Sequence, residues 1–318
     1  MKKEKRLLWG YIDRSGKYVI YPRFDDAQDF HDDLAVVRID WRRGYIDRAG
    51  RFVIEPQFQS ADSFSDGIAR VMTDDKWGFI DSTGAYTIPP SFDKAFEFRD
   101  GLSMVMVDNR YGYIDRTGAW VAEPVYEYLG EFHEGLAWMK SGDRYGYIDH
   151  SGRVAIEPQF DNACDFSDGL ALVMVGERFG YIDPSGRFAL DPIFERAETF
   201  RDGVARVKSD GRRYYIDTTG ATVPEPEERP ETPVFNDGLA PKAEGDKFGY
   251  VTPDGNFAIA PTFAQAEPFS EGFGRVRTAA RSKWSYITTT GASAFKAKFA
   301  QAQPFCGGLA RVLTEVES

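Results

Sequence analysis

The sequence is poor in the residues that most enzymes and metal sites need. Cys164 and Cys306 are the only cysteines in 318 residues, too few for a disulfide framework. There are three histidines, His31, His133 and His150, and none lies in an HExxH pattern or beside a cysteine. GxSxG is absent, and Gly16-Lys17 has no upstream glycine at P-loop spacing. No stretch reaches the ~18 apolar residues of a membrane-spanning helix. The N-terminus, MKKEKRLLWGYID, is basic but lacks the apolar run of a secretory signal, so a cytoplasmic location is expected. Lys and Arg number 39 against 50 Asp and Glu, and the net charge is −11. Such a balance argues against nonspecific binding to nucleic acid or to an anionic membrane, which needs a basic field. The expectation is a non-enzymatic protein without cofactor or metal.

What the chain has in abundance is aromatic residues, 15%, and a repeat. An aromatic-Gly-aromatic-Ile-Asp string places glycines at Gly10, Gly44, Gly78, Gly112, Gly146 and Gly180, always 34 apart. Tyr214, Gly249 and Ser285 continue the series, giving nine copies. A fixed period of this length marks a repeat array and overrides the usual domain count. Within a copy, Trp9 to Asp13 predicts a first strand. Asp13 to Gly16 predicts a turn, with Asp accepting from the turn backbone and Gly supplying positive φ. Tyr18 to Phe24 predicts a second strand, whose proline belongs at a strand end or a sheet edge. The spacing of Phe24, Ala27 and Phe30 predicts a helical turn plugging the core. Leu34 to Arg38 predicts a third strand.

The string Lys76-Trp77-Gly78, the Ile-Asp-x-x-Gly turn, Ile-x-Pro-x-Phe, the Ala-x-x-Phe link and Gly-Leu-Ala-x-Val resemble the WG repeat family, also called KWG repeats, over nearly the whole chain. The resemblance implies a repeat protein of a kind common in bacteria, and it brings no catalytic residues with it. The expected fold is all-β: nine tandem copies of three short antiparallel strands plus a helical-turn plug. They would stack as a curved β-superhelix or close as a toroidal, propeller-like array. The whole of 1–318 is one array, with regular copies over 8–208, a degenerate copy at 212–243 and two further copies over 247–313. The degenerate copy carries a Pro- and Glu-rich stretch, 224–233, which predicts an exposed loop. The first strand of copy one and the third strand of copy nine, Leu309 to Leu313, are complementary free edges.

Strand alternation sorts the third strand into two faces. One is small then branched in copy after copy, as in Ala35/Val37 and Ala171/Val173, and predicts core packing. The other varies and is rich in Arg, Met and Trp, residue types common at interfaces. It supplies the candidate partner-binding wall: Arg70, Met104, Met106, Trp138, Lys140, Leu172, Met174, Arg206, Lys208, Arg275, Arg277 and Arg311. The same face would also serve to pack neighbouring sheets. First-strand aromatics such as Tyr11 and Tyr147 predict core ladders, and the recurrent turn aspartates predict capping, not a calcium array. The expected function is a protein-binding scaffold. Two alternatives stand beside it: an immunity or inhibitor protein covering a basic toxin or nuclease, and a carbohydrate-binding or hydrolytic protein with an aromatic groove.

Overall fold

A computed structural model describes residues 5–226 and 233–317. All regular structure among them is β, in nine small antiparallel sheets. Seven have four strands and two have three. The described chain falls into two compact units. One comprises Met1–Asp74, Phe79–Tyr86 and Pro230–Ser318, the other Asp75–Gly78 and Thr87–Arg229.

One sheet shows the construction. Its strands, in spatial order, are Asp26–Ala27, Ala35–Ile39, Arg42–Ile46 and Phe52–Phe58. Such a sheet joins the third strand of one copy to the first and second strands of the next. The proline-bearing second strand takes an outer edge, where its missing N–H costs no ladder bond. The glycine of the Trp-Gly motif sits opposite a bulge in that strand. A Cβ on Gly44 would lie 2.5 Å from the Ile54 carbonyl oxygen and 2.7 Å from the Pro56 nitrogen. Glycine is required there because two backbones touch.

The expected helical plug is a correction: no helix occurs among the described residues. Phe24, Ala27 and Phe30 are all buried, so the burial pattern was legible. The link is extended, however. Asp25 N–H donates to the Arg38 carbonyl and Gln28 N–H to the Val36 carbonyl, each at 2.9 Å. A kinked extended chain can turn every third residue inward as a helical turn does. The link thus adds a fourth short strand, Asp26–Ala27, where three strands per copy were expected.

A two-residue turn then leads into the third strand. His31 and Leu34 exchange backbone bonds at 2.9 and 3.0 Å around Asp32 and Asp33, whose φ values are 48° and 63°. Both central residues lie in the left-handed region, as a type I′ hairpin demands. The complementary free edges do pair. Lys5–Asp13 aligns with Leu309–Glu317 over nine residue pairs, within a sheet ordered Tyr18–Phe24, Lys5–Asp13, Leu309–Glu317, Gln301–Ala302. This sheet lies within the first unit and leaves neither terminal strand as an open edge.

Each unit carries its own core. The first-strand tyrosines are its centre: Tyr11, Tyr45, Tyr147, Tyr181, Tyr250 and Tyr286 are essentially inaccessible. Each hydroxyl donates to a backbone carbonyl 17 residues on, for example Tyr147 to Cys164 at 2.8 Å. Burial pushes these phenols well above the ordinary tyrosine pKa.

Candidate functional site

The packing face of the third strand is buried as expected, with Ala35, Val37, Ala171 and Val173 at 0–1% exposure. The opposite face holds the candidate wall, and its residues have partners already in place. Arg70 Nε donates to Asp62 at 2.7 Å. Arg206 bonds Glu198 through Nε at 3.0 Å. Arg275 lies 3.7 Å from Glu267. In all three pairs the acid stands eight residues before the arginine. Where the third strand carries an apolar residue, that earlier place holds none: Phe96 precedes Met104, Gly130 precedes Trp138 and Cys164 precedes Leu172. The two positions face each other across the link and third strands, so their side chains are matched. The register was readable in the sequence and went unrecognised because it crosses from a segment taken as helical.

The remaining candidates are similarly tied. Arg311 pairs with Asp29 at 2.8 Å and lies over the Trp9 ring at 5.5 Å. Arg277 lies 4.5 Å over Trp284. Lys208 meets Glu195 at 2.7 Å, and Lys140 meets Glu127 at 3.7 Å. Trp138 lies across Gly130, where a Cβ would stand 2.3 Å from its Nε1. Met106 and Leu172 are buried; Met104 and Met174 are half-buried. Arg70, Arg275, Arg277 and Arg311 fall in one unit, and Met104, Met106, Trp138, Lys140, Leu172, Met174, Arg206 and Lys208 in the other.

Within the second unit, Arg206 and Lys208 share a cleft of about 580 Å3 with Phe179, Arg196, Ala197 and Arg213. A second cleft, of about 970 Å3, adjoins Arg206 and includes Arg201, Tyr215 and Pro226. Both lie where the sixth copy meets the degenerate one. Tyr214 there replaces the motif glycine. Among the described residues the second strand there covers Thr222–Val223, against seven residues in Phe188–Phe194. Residues 227–232 of the Pro- and Glu-rich stretch lie outside the described residues; 224–226 are exposed and irregular, as expected. A smaller cavity, about 210 Å3, is lined by Phe96, Leu102, Met104, Tyr113, Phe132 and His133, among others.

The turn aspartates cap their own turns. Asp115 Oδ1 accepts from the Thr117 hydroxyl at 2.6 Å and from the Thr117 and Ala119 N–H groups at 2.8 and 3.1 Å. These bonds, the hydroxyl's first, hold its carboxyl below the usual carboxylate range. A second set of acids joins neighbouring copies. Asp32, Glu134, Asp168, Asp237 and Glu271 each accept from a glycine N–H in the following copy, at 2.8–3.0 Å. The recurrent Asp-Gly or Glu-Gly dipeptide was the available signal for this staple. His133 is exposed, and the His150 ring stacks on Phe132 at 4.0 Å.

Fold and site together define an all-β repeat protein whose frame is constant and whose third-strand positions vary. The family model described as WG containing repeat matches residues 9–40, 44–77, 77–111, 111–145, 145–178, 179–212 and 248–279. The chain belongs to this WG-repeat family. No curated protein matches it. Among solved structures, a eukaryotic initiation factor is 12% identical, with 94% of this chain and 97% of that chain covered and a TM-score of 0.42. Streptogramin B lyase is 11% identical over 98% of each chain, with a TM-score of 0.29. Hsv2p of Kluyveromyces lactis is 8% identical, with 83% and 92% covered and a TM-score of 0.33. Likenesses this slight carry nothing about activity.

Proposed function

We propose that this chain is a non-enzymatic scaffold that binds another protein, in the cytoplasm, without cofactor, metal, nucleic acid or membrane. The observation that carries the reading is the contrast within each third strand. The frame positions repeat almost unchanged, while the position on the opposite face runs through Arg, Met, Trp and Leu. A catalytic site needs one fixed constellation, whereas a binding array needs a constant frame with variable contacts. We take the array as nine copies, a count supported by the nine sheets.

The aromatic-groove alternative is weakened by the burial of the tyrosine ladder, whose hydroxyls are already engaged. The inhibitor alternative remains a special case of protein binding. The test is capture from a lysate of the source organism, with the wild type beside an Arg206→Glu, Lys208→Glu variant. A partner retained by the wild type and weakened by the variant is the expected result. A single basic partner released by salt would select the inhibitor reading. No captured protein even after cross-linking, with binding to an oligosaccharide array instead, would overturn the scaffold.

A further inference from the structure

The third copy departs from its neighbours at two places on the link. The first is Phe96, eight residues before Met104, where the other regular copies hold Gln28, Asp62, Gly130, Cys164 and Glu198. Phe96 is large and apolar, yet 37% exposed. With Leu102, Met104, Tyr113 and Phe132 it forms the apolar lining of the cavity of about 210 Å3, which lies wholly within the second unit. Tyr113 is buried and its hydroxyl donates to the Gly130 carbonyl at 2.6 Å, so its ring is what it offers to the cavity. The exposed part of the lining is charged: Glu97, Arg99, Asp100, Glu131 and His133. Arg99 meets Glu131 at 2.7 Å, and His133 lies 3.7 Å from Asp165. The Glu97 and Asp100 carboxylates have no counter-ion among the described residues. Asp100 is the second departure. It stands at the staple position, where Asp32, Glu134 and Asp168 accept from a glycine N–H 35 residues on. Gly135 stands at that distance, but the Asp100 carboxylate makes no bond to it and lines the cavity instead.

We propose that this cavity takes the side chain of a lysine from a protein partner, its stem against Phe96, Met104 and Phe132 and its ammonium beside Glu97 and Asp100. This deepens the scaffold reading and rests on it. Size sets the class of occupant. A volume of about 210 Å3 lies below the roughly 300 Å3 at which small-molecule pockets begin, and suits one long side chain. Polarity sets its two ends. Aromatic and thioether walls receive methylene groups, and ring faces attract a cation. Two carboxylates without counter-ions favour a positive end and repel a negative one, so phosphate groups and nucleic acid fit poorly. Lysine suits the cavity better than arginine because its apolar stem is one carbon longer and its charge is compact.

The experiment follows the methionine methyl signals of the full chain by NMR while blocked amino acids are added. The probe is N-acetyl-lysine N-methylamide. Beside it run the blocked forms of norleucine, which has the stem without the charge, of arginine and of glutamate. Met104 is one of six methionines, and Met104→Leu assigns its signal. The expected outcome is a saturable shift of that signal with lysine, a weaker response to arginine, and none to norleucine or glutamate. Salt should weaken the lysine binding, and Glu97→Gln with Asp100→Asn should reduce its affinity about fivefold or more. Asparagine tolerates the left-handed backbone of Asp100, φ 49°, so the turn is kept. Glu97→Gln alone, with affinity reduced about twofold, gives the comparison if the double variant disturbs the thermal melt. The assignment is overturned if lysine leaves the Met104 signal unmoved, if norleucine moves it as far, if arginine binds more tightly, or if the variants bind as the wild type does. A lysate partner held equally by the double variant would remove this cavity and leave the scaffold standing. Lysine binding with no partner in the lysate would overturn the scaffold and, with it, the protein source of the lysine.

Discussion

Two groups of sheets solve the same packing problem differently. Where the third strand carries Arg70, Arg206 or Arg275, an acid on the link neutralises it. Where it carries Met104, Trp138 or Leu172, the link offers Phe96, Gly130 or Cys164. A stripe of arginines in the sequence is therefore not a basic surface. Most of its charge is spent inside the chain.

The strongest way to break this contrast is to put an arginine where no acid awaits it. Trp138→Arg removes an indole packed over Gly130 and against Tyr145, whose ring centroid is 5.9 Å away. The expected loss is about 3 kcal/mol in urea unfolding, from lost burial and an unpaired half-buried charge. Adding Gly130→Asp to that variant should recover at least about 1 kcal/mol, although Gly130→Asp alone should destabilise, because its Cβ meets the indole. Two single variants whose costs simply add in the double would show that the positions are not matched.

A second variant sharpens the contrast inside the apolar group. Phe79 stands where the other copies have a core tyrosine, and it has no hydroxyl to give. The carbonyl 17 residues on, Phe96, accepts instead from Ser103 Oγ at 2.7 Å. Ser103 is completely buried, and other copies hold alanine or glycine there. Ser103→Ala leaves the carbonyl without this donor and should cost about 2 kcal/mol. Ser103→Ala with Phe79→Tyr restores the usual pair and should regain most of that loss. Failure of the tyrosine to compensate would mean that the serine has another role.

These pairs also show what the sequence could and could not convey. The copies, the strand ends and the turn caps were legible because each depends on residues close along the chain: Asp115 and Gly118, or Tyr18 to Phe24. The close contact behind each motif glycine was not, although its partner proline recurs twelve residues later at Pro22, Pro56 and Pro124. The link was misread because Phe24, Ala27 and Phe30 satisfy a helical spacing while their backbone bonds run to another strand. That error also hid the arginine–acid register.

The ion-paired sheets can be ranked among themselves. The Arg275 side chain is 15% exposed and also donates to the Ala302 carbonyl at 2.9 Å, whereas the Arg206 side chain is 47% exposed. Removing the acid from the less exposed pair leaves a cation that water solvates poorly. Glu267→Gln should therefore lower stability by about 1 kcal/mol. Glu198→Gln, at the exposed pair, should shift the urea midpoint less. The reverse order would mean that burial does not decide the worth of these pairs.

The smallest effect separates both kinds of pair from the turn caps, which are the same in either group. Hydrogen bonds from Thr117 and Ala119 lower the Asp115 pKa in the folded chain. A carboxylate with a depressed folded pKa stabilises the fold above its unfolded value of about 3.9, and that contribution fades as pH falls through the lower, folded value. Asp115→Asn should therefore differ most from the wild type at neutral pH and converge with it in acid. The buried tyrosines act in the opposite direction: their raised folded pKa favours the fold below about pH 10, and this advantage is lost as pH rises above it. Tyr147→Phe should thus flatten the alkaline limb of the stability curve and leave the acid limb alone. A Tyr147→Phe curve parallel to the wild type above pH ~10 would mean that this hydroxyl is as free to ionise in the folded chain as in the unfolded one.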